Sequence, residues 1–581
     1  MAELTILQPG DSFEPIAGAV GLLFECAPDS QVCRRNPDAL ALPELIGDFD
    51  SVKRAASDLA TRLLAGEPCM RGIAQLRIFE EVLIRELQSA FHTVHLSRRL
   101  TALGIRRCRF LKPSRFAQGL VDMNRDLALD LELAVPGDRL RPPIAGSLAN
   151  SWRRLTQARF TGSSLRGELG LALNRIDPFR RRRALLPRRL RKRGGLWFYS
   201  TAYTFTQIGL LYEPYFASPF EFLVESATTG GRPLRESGRA FVGVYEFASW
   251  ADAPTKRELG DAVEALTAHL DSVPLQGDDS LARAILVRSD FMRTFLDHLL
   301  PLGLFSTRLF ERWIERARPD ALVVGNPVFE GYALHVARQR GIPTILLQHG
   351  ILGDFCQFVD PPADHYVVRG EFWKEFLAPT ARRRASVLNP SPAAGVEVAA
   401  LAGRTTLVFV SAPYSAQQFY AESDLDEILG VLIAAAYETG RELVIRVHPL
   451  ERVAYYRARA GHLLARMSPA AQVSYSQGPG LDELMRRAIV AVTFSSAVFL
   501  DCLLHGVPIV SFDWHDFSYR TQIERWGAFH FARDLSHLGM LIRDAVAGRL
   551  LPFSKNAEPF LAASPAAMLR SELARLTRST G

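Results

Sequence analysis

Beyond residue 193 the chain alternates between two patterns, and this alternation limits the possible folds more than any other feature of the sequence. Short apolar runs rich in β-branched residues are separated by stretches with apolar residues three and four apart, the signature of a parallel sheet with crossover helices. The segment DALVVGNPVFEGYALHVARQRGIPTILLQHG, residues 320–350, predicts one complete βαβ unit: a strand over 321–324, a helix over 332–340 and a strand over 344–347. Gly341 is placed to cap that helix and Pro343 to open the next strand. GGLWFYSTAYTFT at 194–206 and ADHYVVRGEFWKEFL at 363–377 belong to the same series.

A Pro-, Ala- and Arg-rich stretch, 379–404, reads as an interdomain linker, and a second series follows it. Strands are expected at 405–411, 441–449, 472–476, 488–496 and 506–512, with helices at 424–438 and 497–504. The fold class is therefore α/β, with two consecutive doubly wound, Rossmann-like domains that bind ligands beyond the carboxyl ends of their strands. Residues 1–193 differ: SVKRAASDLATRLLAG and QLRIFEEVLIRELQSAFHTVHLSRRLTALG carry helical spacing, which predicts a mainly helical N-terminal region. The expected boundaries are 1–193 with a basic linker at its end, 194–385, 386–548, and a helical tail over 549–581. At 581 residues and 48% hydrophobic, the chain has material for several cores.

The six cysteines are scattered, with no CxxC pair, which points to a reducing compartment. The first residues are acidic, without the basic start of a secretory signal, and no run approaches the roughly 18 apolar residues of a membrane span. A cytoplasmic protein is expected. Its charge is uneven: residues 175–195 hold ten basic side chains against one acid. Such a block is either a solvated linker or a patch for an anionic membrane surface or glycan, which would make the protein peripheral at the inner membrane through the segment between Arg180 and Arg193. No RNA-binding signature or zinc-finger spacing accompanies it, so nucleic acid is not an expected partner.

The strand ends carry the candidate site. In RVHPLERV, His448 and Pro449 close a strand, and Arg446 shares a pleat face with His448. Ser495 and Ser496 end another strand where a helix begins, so hydroxyls and free N–H groups face any phosphate there. In the first series Gln348, His349 and Gly350 end the strand at 344–347, with Asp354 in the following loop. Glu330 lies in the loop after the strand at 321–324. Each has an ordinary use, as a turn residue, a cap or a helix-dipole charge; their gathering on strand ends is what points to a site.

LVIRVHP followed by AIVAVTFSSAVFLDCLLHGVPIVSFD resembles the C-terminal domain of bacterial GT-B glycosyltransferases of surface polysaccharides, especially the polysialyltransferase and capsular Kdo-transferase group. GIPTILLQHGILGD with ADHYVVRGEFWKEFL looks like the matching end of their N-terminal domain. The resemblance spans about residues 194–548. It implies two domains facing a cleft, with His448 and Ser495–Ser496 on the phosphate of a CMP-activated acidic sugar. Many relatives have a glutamate for the ribose where this chain has Asp501. The relatives' acid-acid-glycine motif, source of the catalytic base, appears here as Phe329-Glu330-Gly331, with only the second acid. The implied function is transfer of a sialic-acid-like or Kdo-like sugar to a glycan or glycolipid, with the nucleotide sugar as substrate and no cofactor or metal.

Related layouts occur in UDP-sugar 2-epimerases, UDP-sugar transferases and CDP-polyol phosphotransferases, and a catalytically silent polysaccharide-binding scaffold is a further alternative. P-loop, HExxH and GxSxG motifs are missing. Asp48/Asp50 and Asp424/Asp426 have DxD spacing, but neither pair follows a predicted strand.

Overall fold

The computed structural model describes residues 3–7, 19–23, 40–41, 49–65, 80–103, 105, 107–110, 132–134, 194–201, 204–224, 242–244, 254–326, 330–350, 361–390, 403–411, 422–448, 451–465, 471–478, 480–493, 496, 498–512, 529–552, 560 and 563–577. Their strands form three parallel sheets.

The sheet at the centre of the chain contains Leu196–Ser200 (β6), Glu221–Val224 (β7), Val242–Gly243 (β8), Ala321–Val324 (β9), Thr344–Leu347 (β10), His365–Val368 (β11) and Ala385–Val387 (β12). Its order is β12-β11-β10-β9-β6-β7-β8. The last sheet contains Thr406–Val410 (β13), Glu442–Arg446 (β14), Val473–Ser476 (β15), Ala488–Thr493 (β16), Ile509–Ser511 (β17) and His530–Phe531 (β18), in the order β15-β14-β13-β16-β17-β18. Both are doubly wound and together give the expected GT-B architecture. In each, the chain winds outward one way, returns to the middle and winds outward the other way. The reversal falls between β6 and β9 in the central sheet and between β13 and β16 in the last, and crevices open beyond the strand ends at such points.

Strands β9 and β10 fall on the predicted residues. The helix between them is Gly331–Gln339, and Gly341 follows with φ 68°, the left-handed conformation a capping glycine supplies. The run at 194–206 is only partly strand: after β6 a π-helix over Phe205–Gly209 turns Phe205 inward to stack on Phe222 at 4.2 Å. The stretch expected as a linker, 379–404, also differs. It contributes the helix Pro379–Arg383 and the edge strand β12, so the central sheet runs past residue 385. Pairing with β11 decides this, and local composition carries no sign of it.

The N-terminal region holds both expected helices, Phe49–Leu64 and Glu80–Ala102. It also holds a sheet that the sequence reading did not foresee, made of Glu3–Leu7 (β1), Ala19–Leu23 (β2), Leu40–Ala41 (β3), Arg107–Phe110 (β4) and Glu132–Ala134 (β5), in the order β3-β2-β1-β4-β5. Helix still predominates among the described residues of this region. The two helices share a core with Lys256–Ser272, Gly277–Arg288 and the start of Leu300–Ala317, which lie between β8 and β9. Arg62 pairs with Asp279 at 2.6 Å, and His269 meets the Leu63 carbonyl at 3.1 Å across this layer. The insertion opens on a capping box, with Thr255 and Glu258 satisfying each other's backbone N–H.

The tail is not a separate unit. Helix Ala566–Leu576 buries Leu569, Leu573 and Leu576 against Phe198, Tyr212 and Leu388 of the central domain. The chain thus passes from the central to the last domain after β12 and comes back ahead of this helix. The two passages are tied together: Asn389 N–H donates to Ser564 Oγ at 3.0 Å and Ser564 N–H to the Asn389 carbonyl at 3.1 Å. Between the domains Trp373 packs edge-on against Phe499 and Phe560, and its Nε1 donates to the Phe560 carbonyl at 3.2 Å.

Candidate functional site

Val410 ends β13 with Arg446 of β14 in register on one side and Thr493 of β16 on the other. One residue further, the strand ends become polar. Ser411 is buried and its Oγ accepts the His448 N–H at 2.8 Å. Gln477 Nε2 donates to the carbonyls of His448 and Glu451 at 2.9 Å each, and Tyr456 donates its hydroxyl proton to Glu451. The main chain of His448 is therefore gripped on both sides, which fixes where its ring stands. Arg446 Nη1 donates to Ser476 Oγ at 2.7 Å and Nη2 to the Gly478 carbonyl. Its charge thus reaches sideways over β15, behind the crevice.

Ser496 opens helix Val498–His505: its Oγ accepts the Val498 N–H at 3.3 Å and its carbonyl the Phe499 N–H at 3.1 Å. Asp501 sits one turn in, and burial raises its pKa while Arg369 and His505 draw it down. Arg404 is buried behind this helix, donating to the carbonyls of Ala488, Gly506 and His505 at 3.0, 3.3 and 2.7 Å. Sequence reasoning did not single it out.

From the central domain, Gln348 is buried and braced, its Oε1 accepting the Arg369 N–H and its Nε2 donating to the Gly350 carbonyl, both at 2.9 Å. It locks the end of β10 to that of β11, immediately before His349. Burial lowers the pKa of His349 to about 4, and the nearby Arg369 cation adds to this. His448 is likewise lowered to about 4, first by burial and then by His349. The two histidines stand on strand ends of different domains, near enough that His349 helps to lower the pKa of His448, while Arg369 acts on both His349 and Asp501. Arg369 Nε also points to Asn389 Oδ1 at 3.4 Å. Arg369 follows β11 as His448 follows β14, so the strand-end rule that found one finds the other.

Glu330 stands apart. It is 1% exposed, and its carboxylate accepts Ser200 Oγ–H at 2.5 Å and the Asn326 N–H. That geometry closes the switch point between β6 and β9 and holds the turn ahead of helix Gly331–Gln339. Asp354, Pro449 and Ser495 lie outside the described residues, as does the basic stretch from Arg180 to Arg193. Asp426 is on helix Glu422–Thr439 and pairs with Arg459 at 2.7 Å. Among the described residues no group of three or more His, Cys, Asp or Glu could hold a metal ion, and no helix is long and apolar enough to cross a membrane.

Chemically, the cleft offers two neutral imidazoles, a guanidinium, a carboxyl whose ionisation is disfavoured and the positive end of a helix. That set has more donors and positive charge than negative, and it suits an anion.

No protein-family model matches the chain, and no curated protein does. Among solved structures, Methanocaldococcus jannaschii UDP-GlcNAc 2-epimerase in complex with UDP-GlcNAc and UDP is similar with a TM-score of 0.42 at 12% identity, over 66% of this chain and 99% of that one. The UDP-GlcNAc 2-epimerase from Neisseria meningitidis bound to UDP-GlcNAc gives 0.42 at 10%, over 66% and 100%. The lipopolysaccharide outer core galactosyltransferase WaaB, apo form, gives 0.34 at 11%, over 66% and 98%.

Proposed function

We propose that this protein is a nucleotide-sugar-dependent glycosyltransferase that moves an acidic sugar, sialic-acid-like or Kdo-like, from a CMP donor to a glycan or glycolipid. The observation that carries this reading is the placement of His448 and Gln348–His349 at strand ends of two doubly wound domains, held there by Ser411, Gln477 and Arg369, with His349 near enough to act on His448 and Arg369 near enough to act on Asp501. His448 and the Ser495–Ser496 helix start hold the donor phosphate, and Asp501 accepts from the ribose hydroxyls. Arg369 supplies a fixed positive charge on the acceptor side, which favours a sugar with its own carboxylate.

His349 takes the acceptor proton. With the cleft empty its ring is a weak base, but a phosphate anion beside the two imidazoles raises both pKa values toward the range where general-base catalysis is efficient. The donor thereby activates the base that uses it. Arg369 and the helix start stabilise the leaving phosphate. Glu330 is the poorer candidate base, because its carboxylate is buried and engaged with Ser200 and Asn326. The basic segment between Arg180 and Arg193 is proposed to hold the enzyme to an anionic membrane or polysaccharide.

Calorimetric titration with CMP, UMP, UDP and CDP-glycerol tests this. CMP should bind most tightly, and His448→Ala should weaken it about tenfold or more, the loss of a hydrogen bond to a charged group. Preference for UDP would overturn the donor assignment, and unchanged binding by His448→Ala would overturn the site.

A further inference from the structure

Thr493 is the last residue of β16, at the switch point of the last sheet, and it is 2% exposed. Its main chain is used by the sheet, in register with Val410 and Ser511, and its carbonyl accepts the Phe512 N–H at 3.3 Å. Its hydroxyl Oγ1 is buried and has no hydrogen-bond partner. Buried polar groups left in that condition are few in native folds, because leaving the bond unmade forfeits the full cost of dehydration.

Strand alternation fixes where this hydroxyl lies. Val490 and Val492 point into the core on one side of the sheet, and Ala491 and Thr493 point to the other. The second face carries Val408 and Val410 and is covered by Phe499, Leu500, Cys502 and Leu503 of helix Val498–His505. Thr493 is thus where β16 ends and the chain turns toward the helix that Ser496 opens. In the same register row, Arg446 lies across Val410, and His448 follows two residues on. An unused donor at a helix start, on a rim with a gripped histidine, has the placing of a ligand contact.

We propose that Thr493 Oγ1 donates a hydrogen bond to a phosphate oxygen of the nucleotide bound at this rim, an inference that rests on the nucleotide reading above. The phosphate supplies the acceptor that the protein withholds, so the hydroxyl costs stability in the empty protein and contributes affinity in the complex.

Thr493→Val keeps the shape and removes the hydroxyl, and Thr493→Ser keeps the hydroxyl. Thermal unfolding without ligand and titration with CMP and UDP, on the full chain, separate the outcomes. Thr493→Val should melt no lower than the wild type yet bind its preferred nucleotide roughly tenfold more weakly, with Thr493→Ser close to wild type. A Thr493→Val protein that binds as tightly as wild type overturns the assignment and leaves the nucleotide site standing. One that melts several degrees lower without ligand shows that the hydroxyl has a protein partner, and also overturns it. If neither CMP nor UDP binds the wild type, the nucleotide reading fails first and this contact with it.

Discussion

Burial, and after it His349 from the other domain, lowers the pKa of His448 to about 4, and burial brings His349 to about 4 as well. In the unfolded chain both sit near 6.5. Between those values the unfolded chain binds more protons than the folded one, so stability is fully present above about pH 6.5 and falls as the pH drops toward 4. His92, buried and also lowered to about 4, adds to the trend, while the raised Asp501 works against it. Urea midpoints from pH 7.5 to 4.5 should decline, and less steeply in a His349→Asn/His448→Asn double variant. Nucleotide binding should take up protons, visible as a buffer-dependent heat in calorimetry.

Glu330 closes the switch point of the central sheet. Glu330→Ala leaves Ser200 Oγ–H and the Asn326 N–H without their acceptor, and each buried donor so stranded costs about 1–3 kcal/mol. Urea unfolding should show a loss of about 2–6 kcal/mol for the two together. Nucleotide affinity should stay within about threefold, a change near 0.6 kcal/mol, since the residue lies in the other domain.

Arg404 ties three carbonyls at the back of the last sheet, and burial lowers its pKa. Arg404→Met removes the cation and leaves those carbonyls dry. A loss of about 3 kcal/mol is expected in chemical denaturation, with Arg404→Lys in between because an ammonium cannot span the fork.

Leu573 is fully buried between the C-terminal helix and the central sheet. Leu573→Ala should cost about 2–5 kcal/mol, read by urea unfolding. Limited proteolysis should then cut the C-terminal segment first, because the apolar face carrying Leu569, Leu573 and Leu576 is what seats the helix on the central domain.

The strands that matched the sequence reading most closely were those with strong local punctuation. ALVV and TILL are unbroken apolar runs, the second introduced by Gly341 and Pro343. RCRF and ELA have no such pattern, and they are strands only because β1 and β4 offer them partners. For the site, position at a strand end singled out His349, His448 and Gln348 as candidates; Arg369, one residue beyond β11, was passed over although the same rule covers it. The role of Glu330 was not legible, because an acid ahead of a helix looks the same whether it faces water or Ser200. Nor was the isolation of Thr493, since a missing partner is a property of the packed structure.

The paired hydrogen bonds between Asn389 and Ser564 bear on how the cleft can open. A single connecting strand would act as a swivel, letting one half turn in any direction. Two antagonistic passes of chain, stitched at one point, behave like a door leaf with its pins aligned: twisting and sliding are resisted, and swinging is left. The strand ends that carry His349 and His448 are thereby tied to one another through two backbone passes rather than one.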